Sequence, residues 1–143
     1  VLSLGISKMP ISLAAEYSDG LCPLHMRRSA EKACEWYSHQ VHEKHLLQVV
    51  LVNAPLIIIE GEDSHGSFWY EEDSIDRELF VIQIAANMDG MGESRQKCIN
   101  LMLETLFHEF VHYEQARDGK KVWERGVDDR AKKMLEEFTE DDD

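Results

Sequence analysis

The sequence predicts an α+β domain in which a small, mostly antiparallel sheet packs against a long helix and a helix that follows it. Three observations carry this expectation. Short β-branched and aromatic runs separated by turn residues fill the middle of the chain, a helical period runs from about Glu93 to Asp118, and a second runs from about Val122 to Phe138. The length of 143 residues is that of one ordinary domain, large enough to bury a core without staples. With 43% hydrophobic and 30% charged residues the composition is globular, and no apolar run approaches the roughly 20 residues of a membrane span, so a soluble protein with no membrane partner is expected.

Taken in order, residues 1–28 mix Gly, Pro and Ser with scattered apolar positions and read as an irregular N-terminal arm. From Ser29, a candidate N-cap, to about Leu47, the residues Ala30, Ala33, Cys34, Tyr37 and Val41 recur at helical spacing. Strand-like runs follow at Val49–Val52, Leu56–Glu60, Ser67–Tyr70 and Leu79–Ala85, separated by Asn-Ala-Pro, a Gly-Glu-Asp-Ser-His-Gly segment and an acidic turn. Gly119 is a natural stop for the long helix. The domain proper is expected to span 29–139, and the tail of residues 140–143 is too charged to pack.

Charge and cysteine usage narrow the functional classes. A formal net charge of −13 repels phosphate backbones and argues against nucleic acid as a partner. Cys22, Cys34 and Cys98 are odd in number, widely spaced and form no C-x-x-C pair. Neither a disulfide framework nor a cysteine zinc site is indicated, and a reducing, cytoplasmic setting is expected. Because the first residue is Val1 rather than Met, the chain is expected to be trimmed.

The chemistry concentrates in His108-Glu109-Phe110-Val111-His112, an H-E-x-x-H pattern in the middle of the long helix. Residues four apart on a helix project from one face, so two imidazoles can close on one metal ion while the Glu beside them reaches a water molecule there. A wheel places Leu101, Thr105, His108, Glu109, His112 and Ala116 on one side, and Ile99, Met102, Leu103, Leu106, Phe110 and Tyr113 on the other. The helix thus has an apolar back for the core and a second face on which two His and a Glu sit among small or apolar neighbours.

Two histidines supply only two of the three protein ligands that a catalytic zinc ion takes, so a third should come from a nearby acidic or His side chain. Glu114 and Asp118 point away from His112 on the wheel. On the last helix, Val127, Ala131, Met134, Leu135 and Phe138 define a buried stripe, with Glu124 and Asp128 on its edge and Asp129 off it. Two carboxylates one turn apart on an apolar edge are costly unless paired. Glu124 is therefore expected as the third ligand, and Asp128 as the acceptor that fixes one imidazole's tautomer.

This pattern, His108-Glu109-x-x-His112 followed by Glu124-x-x-x-Asp128, resembles the gluzincin metallopeptidases, and with its short gap it is most similar to the small forms, the minigluzincins and the ImmA/IrrE-type peptidases. The resemblance covers about Leu79 to Phe138. It implies a zincin-like fold, a Zn2+ cofactor and a peptide or protein substrate laid along an edge strand, for which Leu79–Ala85, immediately before the helix, is the expected candidate. The sequence departs from the larger gluzincins in lacking a recognisable second subdomain with a downstream His or Tyr, and from ImmA-type proteins in lacking a helix-turn-helix partner.

The expected activity is peptide hydrolysis with Glu109 as general base. A non-catalytic, zinc-stabilised interaction domain is the alternative, and a metal-free acidic binding protein a second; Glu109 between the two His favours chemistry, because a structural site has no use for it there. His39, His42 and His45 recur every three residues but fan around the helix, and read as a solvated face. Cys22 reads as inert, and Trp36, Trp69 and Trp123 read as core or interface anchors.

Overall fold

The computed structural model describes residues 2–3, 11–16, 21–40, 46–72 and 78–142. Among the described residues there are seven strands: β1 (Leu2–Ser3), β2 (Ile11–Glu16), β3 (Leu46–Val52), β4 (Ile57–Ile59), β5 (Glu62–Ser64), β6 (Gly66–Glu72) and β7 (Glu78–Ala85). Three α-helices accompany them among the described residues: α1 (Leu24–Gln40), α2 (Arg95–Arg117) and α3 (Val127–Asp142). Five strands form one sheet in the order β1-β2-β3-β7-β6, and β4 and β5 form a separate hairpin.

The fold is α+β, and three of the five ladders are antiparallel: β1 with β2, β4 with β5, and β6 with β7. The two central ladders, β2 with β3 and β3 with β7, are parallel. Parallel neighbours need a crossover, and α1 supplies the one between β2 and β3. This topology corrects one expectation about the substrate strand. Residues Leu79–Ala85 belong to β7, which pairs with β3 on one side and β6 on the other, so the exposed edge next to the helices is β6.

The N-terminal segment differs from the irregular arm expected over residues 1–28. Residues 11–16 form a strand in register with Leu47–Val52, and Cys22 and Met26 are buried in the common core. The alternation Ile11, Leu13, Ala15 is only three positions long, too short to stand out from a mixed segment. The helix expected from Ser29 begins at Leu24, where the Pro23 carbonyl accepts from the backbone N–H groups of Met26 and Arg27. Ser29 is therefore no cap; its hydroxyl donates back to the His25 carbonyl at 2.8 Å inside the helix. His39 is exposed near the end of α1, whereas His42 and His45 lie outside the described residues.

Helix α2 is the spine of the domain. Ser94 caps it by accepting from the Lys97 N–H at 3.2 Å, and its buried residues include Met102, Leu106, Phe107, Phe110 and Tyr113. Tyr37 of α1 stacks on Phe110 with ring centroids 4.0 Å apart, and Phe80 of β7 meets Tyr113 edge-on at 5.1 Å. Those two contacts hold α2 between α1 and the sheet, with its polar face left open. Tyr113 is fully buried by them and faces away from that open side.

The C-terminal helix also departs from expectation at both ends. It starts at Val127, not near Val122, because Gly126 adopts a left-handed conformation (φ +77°) that ends the preceding turn and resets the helical phase. It continues to Asp142, so residues 140–142 are helix and not a frayed tail. Asp141 accepts from the Trp36 indole N–H at 2.7 Å, and Asp142 lies 3.9 Å from Lys32, which ties the end of α3 to α1. Trp36 itself bridges the helices, edge-on to Phe107 and Phe138. Among the described residues no helix is long and apolar enough to cross a membrane.

Candidate metal centre

The polar face of α2 carries His108, Glu109 and His112, whose ligand atoms lie within 4.8 Å of one another, a grouping that could hold a metal ion. His112 and Glu109 are only 5% and 6% exposed, although both are polar. Residues 118–126 lead from α2 to α3 and bring Glu124 over this face. Its Oε2 lies 3.0 Å from Nε2 of His108 and its Oε1 lies 3.0 Å from Nε2 of His112. The two Nε2 atoms are 3.2 Å apart.

The outer nitrogens of both rings are spoken for. Nδ1 of His108 lies 2.9 Å from Oδ1 of Asp128, and a carboxylate can only accept, so this nitrogen carries a proton. Nδ1 of His112 lies 3.0 Å from Oε1 of Gln115. The orientation of that amide is set independently, since its Nε2 donates to the Trp123 carbonyl at 3.1 Å and its Oε1 accepts from the Trp123 N–H at 3.3 Å. A flipped amide would lose both bonds. Each ring therefore donates through Nδ1, and in its neutral form it keeps a lone pair on Nε2.

Electrostatics then gives the site its meaning. Two imidazole lone pairs and two carboxylate oxygens converge within 3.0–3.2 Å, an all-acceptor cluster that repels itself unless a positive species sits among them. Protonating both rings would place two cations side by side to share one carboxylate. A single divalent cation held by His108, His112 and Glu124 would relieve that repulsion, so the donor set fits a metal ion of borderline softness.

Glu109 occupies a different position. Its Oε2 is buried with no hydrogen-bond partner among the described residues. Burial raises its pKa, an effect opposed by His112 and His108 and reinforced by Glu124. Such an atom calls for a small polar partner, and a water molecule beside the imidazoles would be one.

The facing wall comes from the corner between β5 and β6. Ser64, His65 and Gly66 line a cleft of about 380 Å3 together with Thr105, Glu109 and Glu124. The corner is pinned, for the Ser64 hydroxyl donates to the Gly66 carbonyl at 2.7 Å and the His65 carbonyl accepts from the Ala85 N–H at 2.8 Å. Gly66 is needed for a close approach, because a Cβ there would stand 2.7 Å from Cγ2 of Thr105, one turn before Glu109 on α2.

All five residues singled out from the sequence meet here, but two arrive by a different route. Glu124 and Asp128 were expected on one buried helical edge. Glu124 instead lies in the turn before α3 with 73% of its side chain exposed, and Asp128 lies in the first turn of α3 with 94% exposed. Glu114 accepts from the Tyr37 hydroxyl at 2.9 Å and sits 3.7 Å from Arg130, away from the cluster. Sequence reasoning missed Gln115; the signal was its offset of three from His112, one turn along the same face. It missed also the Ser64–Gly66 wall. The three cysteines are free and buried, and burial raises the thiol pKa of Cys22 and Cys34.

Comparison with protein-family models, with curated proteins and with solved structures found no match.

Proposed function

We propose that the protein is a zinc-dependent peptidase of the zincin kind, resembling the small gluzincins, in which His108, His112 and Glu124 hold the metal ion and Glu109 is the general base. The observation that carries the reading is the all-acceptor cluster formed by the two Nε2 atoms and the Glu124 carboxylate, with a buried, unpartnered Glu109 oxygen beside it. Zinc bound there supplies Lewis acidity, which acidifies water and polarises a peptide carbonyl.

The chain's own groups do the rest. Asp128 and Gln115 hold the imidazoles in the tautomer that presents Nε2 inward. Burial raises the proton affinity of Glu109, and the proton it takes from the attacking water can then pass to the leaving amine. Strand β6, the edge beside the cleft, offers main-chain groups to an extended peptide, a mode of binding that tolerates many sequences. The separate, free cysteines support a reducing, cytoplasmic setting.

The test compares two isosteric variants. Glu109→Gln should keep zinc content and melting temperature near wild type while peptide hydrolysis falls by at least about 100-fold. Glu124→Gln should lose metal and activity together, since a neutral amide is a much poorer ligand. Loss of zinc in Glu109→Gln, or a wild-type protein that binds zinc but cleaves no member of a broad peptide library, would assign the site to a metal-stabilised interaction domain instead.

A further inference from the structure

A further cavity lies outside the metal cleft. It is a groove of about 910 Å3 between α2 and α3, floored by Leu103, Ala131 and Leu135. On α3 the lining residues Asp128, Lys132, Glu136 and Glu140 recur every four positions, beside Ala131 and Leu135. From Asp128 to Glu140 the helix rises about 18 Å, enough for about five extended residues of a second chain. Glu104 and Asp128 line both this groove and the metal cleft, so the two adjoin.

Charge selects the occupant. The groove carries the carboxylates of Glu104, Asp128, Glu136 and Glu140 against the single cation of Lys132, in a chain whose net charge is −13. Nucleic acid and a second copy of this chain would both be repelled, and so would its own acidic C-terminus. An apolar floor between acidic rims matches a segment that alternates apolar residues with Lys or Arg.

We infer that the α2–α3 groove docks a basic, apolar polypeptide segment whose neighbouring peptide bond enters the metal cleft; calling that segment substrate rests on the peptidase reading above. Docking of this kind makes the enzyme select for the sequence a few residues from the cleavage point, while the cleft itself stays tolerant.

Binding can be read without turnover in the zinc-loaded, full-length Glu109→Gln protein. The probe is a fluorescein-labelled twelve-residue peptide of leucine and lysine, compared by anisotropy with the same peptide carrying glutamate for lysine. The basic peptide should bind at least about ten-fold tighter than the acidic one, and Glu136→Lys with Glu140→Lys should weaken it by at least about ten-fold. The charge-matched pair Glu60→Lys with Glu62→Lys, on the β4–β5 hairpin, should change it by less than about two-fold. Equal losses in both pairs would reduce the effect to the overall field of the protein and overturn the proposal, as would equal binding of the acidic peptide. Turnover separates the two readings. If wild-type protein binds the basic peptide in this manner but hydrolyses nothing, the docking groove stands and the peptidase reading falls. If it hydrolyses peptides with and without a basic extension at the same kcat/KM, the peptidase reading stands and the groove falls.

Discussion

His112 points Nδ1 at Oε1 of Gln115, 3.0 Å away, and the same amide grips the backbone of Trp123 on both sides, next in sequence to Glu124. One side chain thus sets the tautomer of a helix residue and anchors the turn that delivers the opposing carboxylate. Gln115→Leu keeps the volume and removes both functions. Zinc affinity should fall by about 10- to 100-fold with the fold retained, measured by competition with a chelating indicator. An unchanged affinity would mean that the turn holds Glu124 without this clamp.

Asp128 makes the equivalent contact to His108 from the first turn of α3, but it does so in solvent. Exposure screens its charge, so the geometry of the bond matters more than the Coulomb attraction. Asp128→Asn, which can still accept from Nδ1, should weaken zinc binding less than Asp128→Ala, with the latter losing about ten-fold or more. Asp129→Asn is the control, since no contact ties Asp129 to either ring among the described residues, and its zinc affinity should stay at wild type.

How far the site can be read from sequence follows from how local each part is. His108, Glu109 and His112 are related by the helical repeat alone, and the apolar back of α2 shows the same repeat. Glu124 and Asp128 were reached with a wheel drawn through Gly126, whose left-handed backbone makes that wheel invalid; they converge because the turn folds back, which no periodicity encodes. The α+β class follows from strand-like and helix-like runs, whereas the order β1-β2-β3-β7-β6 depends on pairings between distant segments. Proximity in the chain points to β7 as the edge strand, yet pairing with both β3 and β6 puts β7 inside the sheet and leaves β6 at the edge.

The approach of Gly66 to Thr105 gives a test of how the edge strand is set against α2. Gly66→Ala places a Cβ 2.7 Å from Cγ2 of Thr105 and 3.1 Å from the Gln83 carbonyl oxygen. The domain should lose about 1–3 kcal/mol in urea denaturation, the usual scale of overpacking. Thr105→Ser removes Cγ2 but keeps the hydroxyl that donates to the Leu101 carbonyl at 3.0 Å, so the double variant should recover most of the loss. Additive losses would place the strain at the Gln83 backbone instead.

Alkaline stability should report on Cys34. Complete burial, with a smaller contribution from Glu31, pushes its thiol from an ordinary 9.0 up to about 12. The folded state therefore keeps a proton that the unfolded chain gives up, so the stabilisation is fully present below pH 9 and is lost as the pH rises toward 12. One such group costs about 1.4 kcal/mol per pH unit across that window. Tyr37 acts in the same direction, its hydroxyl raised by burial and by Glu114, and should steepen the loss above pH 10. Urea denaturation of wild type and Cys34→Ala at pH 8, 9, 10 and 11 separates the two contributions. Below pH 9 the variant should differ by a constant offset from its lost packing. Above it, the wild-type curve should fall more steeply, by about 1.4 kcal/mol per unit, until the offset shrinks or reverses. Parallel curves over the whole range would mean that Cys34 reaches solvent in the folded state.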